Sequence, residues 1–126
     1  MKKVLVVDDE VFIRRMIEVR LRIAGITVIE AENGADAVEK TISERPDLII
    51  MDVMMPKMDG FQACEAIRSN SETSGTTILM LTARGQQIDL EKAMALGILE
   101  YITKPFSPKE LADKVVGILN AVRREA

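Results

Sequence analysis

Short apolar runs alternate along the chain with longer stretches in which apolar residues return every three or four positions. That alternation predicts a parallel sheet with helices on both faces. The first run, Val4-Leu5-Val6-Val7, is too continuous for a strand with one wet face. Beyond Asp8-Asp9-Glu10, the residues Ile13, Met16, Ile17, Leu21 and Ala24 form one helical stripe that Gly25 ends. Thr27 to Ala31 is the second strand. A second helix, roughly Gly34 to Glu44, carries Ala37, Val38, Thr41 and Ile42 on one side, and Pro46 stops it. Leu48-Ile49-Ile50-Met51 is a third strand that ends in Asp52.

A loop from Val53 to Asp59 then leads to a helix starting near Gly60, with Asp59 as N-cap and Phe61, Cys64 and Ile67 facing inward. Ser69 to Thr77 is small and polar, a surface connection. Ile78-Leu79-Met80-Leu81 is the fourth strand, ending at Thr82. After a loop containing Gly85, an Ala-rich helix runs from about Ile88 to Leu96 and is capped by Gly97. Leu99 to Thr103 is the fifth strand, broken by Lys104-Pro105. The last helix starts near Pro108, places Leu111, Val115, Ile118, Leu119 and Val122 at helical spacing, and runs almost to Ala126. Five β-α units therefore account for residues 1–126 as one domain.

Composition narrows the chemistry. There is no His among the 126 residues, so imidazole bases, Ser-His-Asp triads and His metal ligands are excluded. The lone Cys64 rules out an internal disulfide and an all-Cys zinc site, and its place on a helix stripe predicts a buried, inert thiol. A net charge of −3 gives no basic footprint for direct nucleic-acid binding, and one Tyr with three Phe offers no base-stacking platform. The apolar run before Asp8 is too short for a signal or membrane segment, so a cytoplasmic location is expected.

Polar residues gather where an open parallel sheet binds ligands, at the carboxyl ends of its strands. Asp8 and Asp9 follow the first strand, Asp52 the third, Thr82 the fourth and Lys104 the fifth. Each has an ordinary reading by itself: acids at a helix start, a loop acid before Pro56, a strand-end threonine, a solvated lysine. Four such coincidences at four strand ends are harder to accept. With the first and third strands adjacent, three carboxylates would meet and repel, a conflict that a divalent cation removes. The donors are all hard oxygens, which suits Mg²⁺ rather than zinc. Such a site places Asp52 as a carboxylate nucleophile toward phosphorus, with Lys104 and the Thr82 hydroxyl on the phosphoryl oxygens.

The segments Val4 to Glu10, Asp52-Val53-Met54-Met55-Pro56-Lys57-Met58-Asp59-Gly60, Leu81-Thr82-Ala83 and Tyr101-Ile102-Thr103-Lys104-Pro105-Phe106 resemble, in order and at matching spacing, those of response-regulator receiver domains. The resemblance implies a flavodoxin-like doubly wound α/β fold, a five-stranded parallel sheet of order 2-1-3-4-5 with five helices on both faces. It implies that Asp52 accepts a phosphoryl group from phosphohistidine on a sensor histidine kinase or a histidine phosphotransfer protein. Mg²⁺ would be held by Asp9, Asp52 and the Met54 backbone carbonyl, with Asp8 acting largely through water. Lys104 would bridge to the phosphoryl group, Thr82 would swing inward to bond it, and Tyr101 would turn from exposed toward buried. Small Ala83 leaves room beside Asp52, and the Lys104-Pro105 peptide is expected to be cis. The chain would then be a stand-alone signalling switch rather than a metabolic enzyme, with no output domain. Its altered surface would be the fourth helix, fifth strand and fifth helix, where Lys92, Ala95, Tyr101, Thr103 and Lys114 would meet a downstream protein or a phosphorylation-dependent dimer partner.

Met54 and Arg84 flank the expected path of hydrolytic water, and an apolar Met54 cannot orient that water, so slow self-dephosphorylation is expected. Three competitors stand beside this reading. A metal-dependent aspartyl phosphohydrolase would carry Asp-x-Asp after the first strand and a cap domain, whereas this chain has Asp8-Asp9-Glu10 and no residues for a cap. A flavodoxin-like mononucleotide binder would need a Ser/Thr/Gly-rich phosphate loop at that place. A degenerate receiver, acting as a phosphorylation-independent interaction module, would have lost some of the five site residues. Because the chain has no His, the phosphohistidine donor is expected to lie in another protein or to be replaced by a small phosphodonor.

Overall fold

A computed structural model describes residues 2–83 and 89–125, with side chains to residue 121, so Arg84, Gly85, Ile88 and the side chain of Val122 lie outside the described residues. Ten elements alternate: β1 (Lys3–Val7), α1 (Val11–Ile23), β2 (Thr27–Ala31), α2 (Gly34–Glu44), β3 (Leu48–Asp52), α3 (Gly60–Ser69), β4 (Thr77–Ala83), α4 (Leu90–Ala95), β5 (Glu100–Lys104) and α5 (Pro108–Glu125). All strand pairs are parallel and the order is β2-β1-β3-β4-β5, as the resemblance implied.

The continuous apolar strands are buried on both sides because each pleat faces a helical layer. Leu5, Val7, Ile49, Met51, Ile78 and Met80 pack with Ala37 of α2, Cys64 and Ile67 of α3 and Ala93 of α4. Their alternates Val4, Val6, Leu48, Ile50, Leu79 and Leu81 pack with Ile17 and Leu21 of α1 and with Leu111, Val115 and Leu119 of α5. Period-2 alternation thus decides which layer every strand-end residue joins.

Several boundaries and faces differ from the sequence-based expectations. β4 takes in Thr77 and continues through Thr82 to Ala83, and β5 runs one residue late, leaving Leu99 exposed and making Lys104 its last member. Ladder pairing carries both strands past the local sequence breaks, since Thr82 pairs Thr103 and Ala83 pairs Lys104. α4 spans only Leu90–Ala95, with the Asp89 side chain capping the Lys92 N–H. Ala24 is exposed because it is the C-cap of α1, past the last inward turn. Ile42 is 38% exposed, because Thr41 takes the inward place on α2 and its hydroxyl donates to the Ala37 carbonyl at 2.7 Å. Asp59 caps α3 as expected, in a capping box with Gln62.

Candidate functional site

Adjacency of β1 and β3, with Val7 opposite Met51, brings Asp8 and Asp52 to neighbouring strand ends. Asp52 continues the Leu48-Ile50 row on the α1/α5 side and Lys104 continues the Ile102 row on the same side. β4 lies between them, so the Lys104 side chain spans its C-terminal end to place Nζ 2.9 Å from Asp8 Oδ2 and 3.4 Å from Asp52 Oδ2. The Asp8 carboxylate also accepts from the Glu10 N–H at 2.9 Å, and Asp52 Oδ1 accepts from the Met54 N–H at 3.3 Å. Both acids are buried.

These surroundings shift the titration of the site. Burial, then the Asp8 charge, pushes the Asp52 carboxyl up to about 6, although Lys104 and the Met54 N–H pull the other way. Burial opposes the Lys104 charge, but the hydrogen bond to Asp8 and the Asp52 charge outweigh it and raise the ammonium above its ordinary value. A raised folded-state carboxyl means that the folded chain holds its proton more tightly than the unfolded chain does. Without added cation, the Asp52 contribution to stability is therefore expected to fall by up to about 3 kcal/mol as pH rises from about 4 to about 6. Denaturant titrations of the wild type and Asp52→Asn should diverge across that range; parallel curves would refute the assignment.

The carboxylates of Asp8, Asp9 and Glu10 lie within 4.8 Å of one another. Asp52 joins this group through Lys104 rather than by equal spacing, and Glu10 is a neighbour that the sequence pattern does not single out. The donor set is oxygen throughout, and the exposed Asp9 carboxylate makes no hydrogen bond among the described residues, so the residues fit a hard divalent cation. Behind the site, the α3 N-terminus sits so close that Gly60 donates its N–H to the Val53 carbonyl at 2.9 Å.

The family model for the response regulator receiver domain matches residues 4–116. The chain belongs to the receiver-domain family. A probable transcriptional regulator ycf27 from Guillardia theta is 42% identical over 125 residues, 99% of this chain and 48% of that protein. The alkaline phosphatase synthesis transcriptional regulatory protein PhoP of Bacillus subtilis is 43% identical over 118 residues, 94% of this chain and 48% of that one. The receiver thus spans about half the length of these curated relatives. Among solved structures, chemotaxis response regulator CheY4 of Vibrio cholerae superposes with a TM-score of 0.84 at 39% identity, covering 94% of this chain and 98% of that chain.

In this receiver Asp52, the expected phosphoacceptor, and the expected switch residues lie on opposite faces of the sheet. Thr82 continues the Ile78-Met80 row on the α2/α3/α4 side, and its hydroxyl makes no hydrogen bond among the described residues. Tyr101 packs against that same layer, and its buried hydroxyl also finds no partner among the described residues. Met54 holds its backbone against Asp52 while its side chain is 61% exposed. Lys104-Pro105 is cis. The buried Cys64 thiol is pushed up to about 12 by its burial. Lys92, expected on the docking face, pairs its ammonium with Glu65 of α3 at 3.1 Å and lies over the Phe61 ring. Arg14 and Glu30 are neighbours of the site that sequence reasoning misses, although an Arg three residues before inward Ile17 and an acid inside an apolar strand are visible signals.

Proposed function

We propose that the Asp52 carboxylate accepts a phosphoryl group from phosphohistidine on a sensor histidine kinase or histidine phosphotransfer protein. The supporting observation is a buried carboxylate with a raised pKa, in contact with one lysine that also holds a second buried acid. An Asp52 oxygen attacks phosphorus as the donor P–N bond breaks, and the departing imidazole keeps the bonding electrons and takes a proton. Lys104, now shared by Asp8 and Asp52, supplies positive charge to the phosphoryl oxygens. Asp9, Asp52 and the Met54 carbonyl would hold Mg²⁺, with Asp8 through water. When bound, Mg²⁺ supplies charge neutralisation between the acids and the incoming phosphoryl group.

Thr82 then turns toward the phosphoryl oxygens and Tyr101 settles further inward. The change is read on α4, β5 and α5, where a groove of about 340 Å³ is lined by Tyr101, Thr103, Phe106, Glu110 and Lys114. Lys114 pairs there with Glu100, so the rim carries both charges. The occupant we propose for this face is a downstream protein or a second phosphorylated copy. No helix among the described residues is long and apolar enough to cross a membrane.

Incubation with Mg²⁺ and acetyl phosphate, followed by intact mass, tests the chemistry. One added phosphoryl group is expected, and none in Asp52→Ala; an unmodified wild type would instead favour a phosphorylation-independent module. For the same acyl phosphate, Met54→Asn is expected to hydrolyse severalfold faster than the wild type, because an amide can orient water where a thioether cannot. An unchanged or slower decay of the phosphorylated mass would overturn that role for Met54.

A further inference from the structure

Asp9 stands exposed with no hydrogen bond of its own among the described residues, so something else must aim it. The peptide that joins it to Asp8 is held firmly. Arg14 Nη1 donates to the Asp8 carbonyl at 2.6 Å, while Arg14 Nε donates to Glu30 Oε1 at 3.2 Å. The Arg14 side chain is only 11% exposed and Glu30 25%, so this relay from β2 through α1 to the β1–α1 turn is largely sheltered from water. Glu30 is fixed in turn: Arg15 Nε also donates to its carboxylate, and Lys40 Nζ donates to its backbone carbonyl at 2.5 Å. Although burial works against its charge, the hydrogen bond from Arg14 and the charge and hydrogen bond of Arg15 hold Glu30 below the usual carboxylate range.

We infer that Arg14, locked by Glu30, is a positioning residue that aims Asp9 at the divalent cation. The Asp8–Asp9 peptide is planar, so a guanidinium that fixes its carbonyl also fixes the direction of the Asp9 N–H and narrows where the Asp9 side chain projects. Asp8 needs no such help, because Lys104 and the Glu10 N–H already hold its carboxylate. Partners behind metal ligands typically set affinity in this way. The inference rests on the reading of Asp9 as a cation ligand.

The test is a Mg²⁺ titration of the full chain without any phosphodonor, followed by calorimetry and by the backbone amide signals of residues 9, 10 and 54. Arg14→Gln is expected to weaken Mg²⁺ binding about tenfold and Glu30→Gln to weaken it in the same direction by less. Arg14→Lys should recover part of the loss, since an ammonium can reach the carbonyl but cannot fork to the carboxylate as well. At saturating Mg²⁺, phosphorylation by acetyl phosphate should return to within about twofold of the wild type, because only the aim of a ligand has changed. A merely structural arginine would lower the unfolding midpoint and leave the Mg²⁺ affinity of the folded chain unaltered. Affinities of Arg14→Gln and Glu30→Gln equal to the wild type would therefore overturn the inference, and Glu30→Gln keeps the test open should Arg14→Gln not fold. A wild type that fails to bind Mg²⁺ would overturn the cation site itself, a separate and distinguishable result.

Discussion

Gly60→Ala is expected to lower both stability and phosphoryl acceptance, and Gly60→Val to abolish folding. A Cβ at position 60 would press on the backbone carbonyl of Asp52 and come within 2.9 Å of Met80 Cε and 3.0 Å of Val53 Cα. Met80 can shift its methyl, but the Asp52 carbonyl and Val53 Cα belong to the backbone that presents the proposed phosphoacceptor. Relief must come from moving α3 off the strand end, which breaks the Gly60 N–H bond to Val53 and carries the Asp59 cap with it. Overpacking of this kind costs about 2–3 kcal/mol for one methyl against backbone, close to a 10 °C loss in the unfolding midpoint for a domain of this size. Gly117 supplies the control. Its Cβ would meet nothing within 4 Å and it lies inside α5, so Gly117→Ala should be neutral or stabilising by about 0.5–1 kcal/mol. Thermal unfolding of both variants decides the matter; a Gly60→Ala midpoint equal to that of Gly117→Ala would mean that the close approach is not energetically real.

Lys104→Ala is expected to separate the roles of the lysine and the cation. Asp8 is fully buried and Asp52 nearly so, and the Lys104 ammonium contacts both carboxylates. Removing it leaves two uncompensated carboxylates; because the Lys104 side chain is itself partly exposed, the loss should be about 1–3 kcal/mol, below the figure for a fully buried pair. The Asp52 carboxyl should then titrate higher still, since the Asp8 repulsion remains and the Lys104 attraction is gone. Mg²⁺ should restore more stability to Lys104→Ala than to the wild type, because the cation no longer shares its carboxylates with an ammonium. Phosphoryl transfer at saturating Mg²⁺ should nevertheless fall about a hundredfold, as for the loss of one preorganised donor to a transition-state oxygen. Equal Mg²⁺-induced shifts in the two proteins would show that lysine and cation act on different groups.

Much of this site is legible in the order of residues alone, because the acids and the lysine fall at the breaks of apolar runs, and such breaks mark strand ends in a buried parallel sheet. Periodicity misplaces Ile42 and Ala24 because a helical stripe is a hundred-odd degrees wide, and its edge positions become buried or exposed according to which neighbour lies alongside. The contacts of Lys92 escape the sequence pattern for a related reason. A long side chain on a short helix reaches whichever partner is nearer, and here the partners are Glu65 and Phe61 of α3 rather than anything on α5.

Element type, the inward rows of each strand and the oxygen-only character of the site follow from periodicity and composition, which are local properties of the chain. Strand order entered through resemblance and is fixed physically by the parallel pairing seen in the sheet. The ion pairs of the site are non-local: Lys104 meets Asp8 across 96 positions, and Arg14 meets Glu30 across sixteen. No repeat of polar and apolar residues encodes those meetings. They depend on register and crossover geometry, and the raised Asp52 carboxyl depends further on how completely its neighbours exclude water, which only the packed molecule decides.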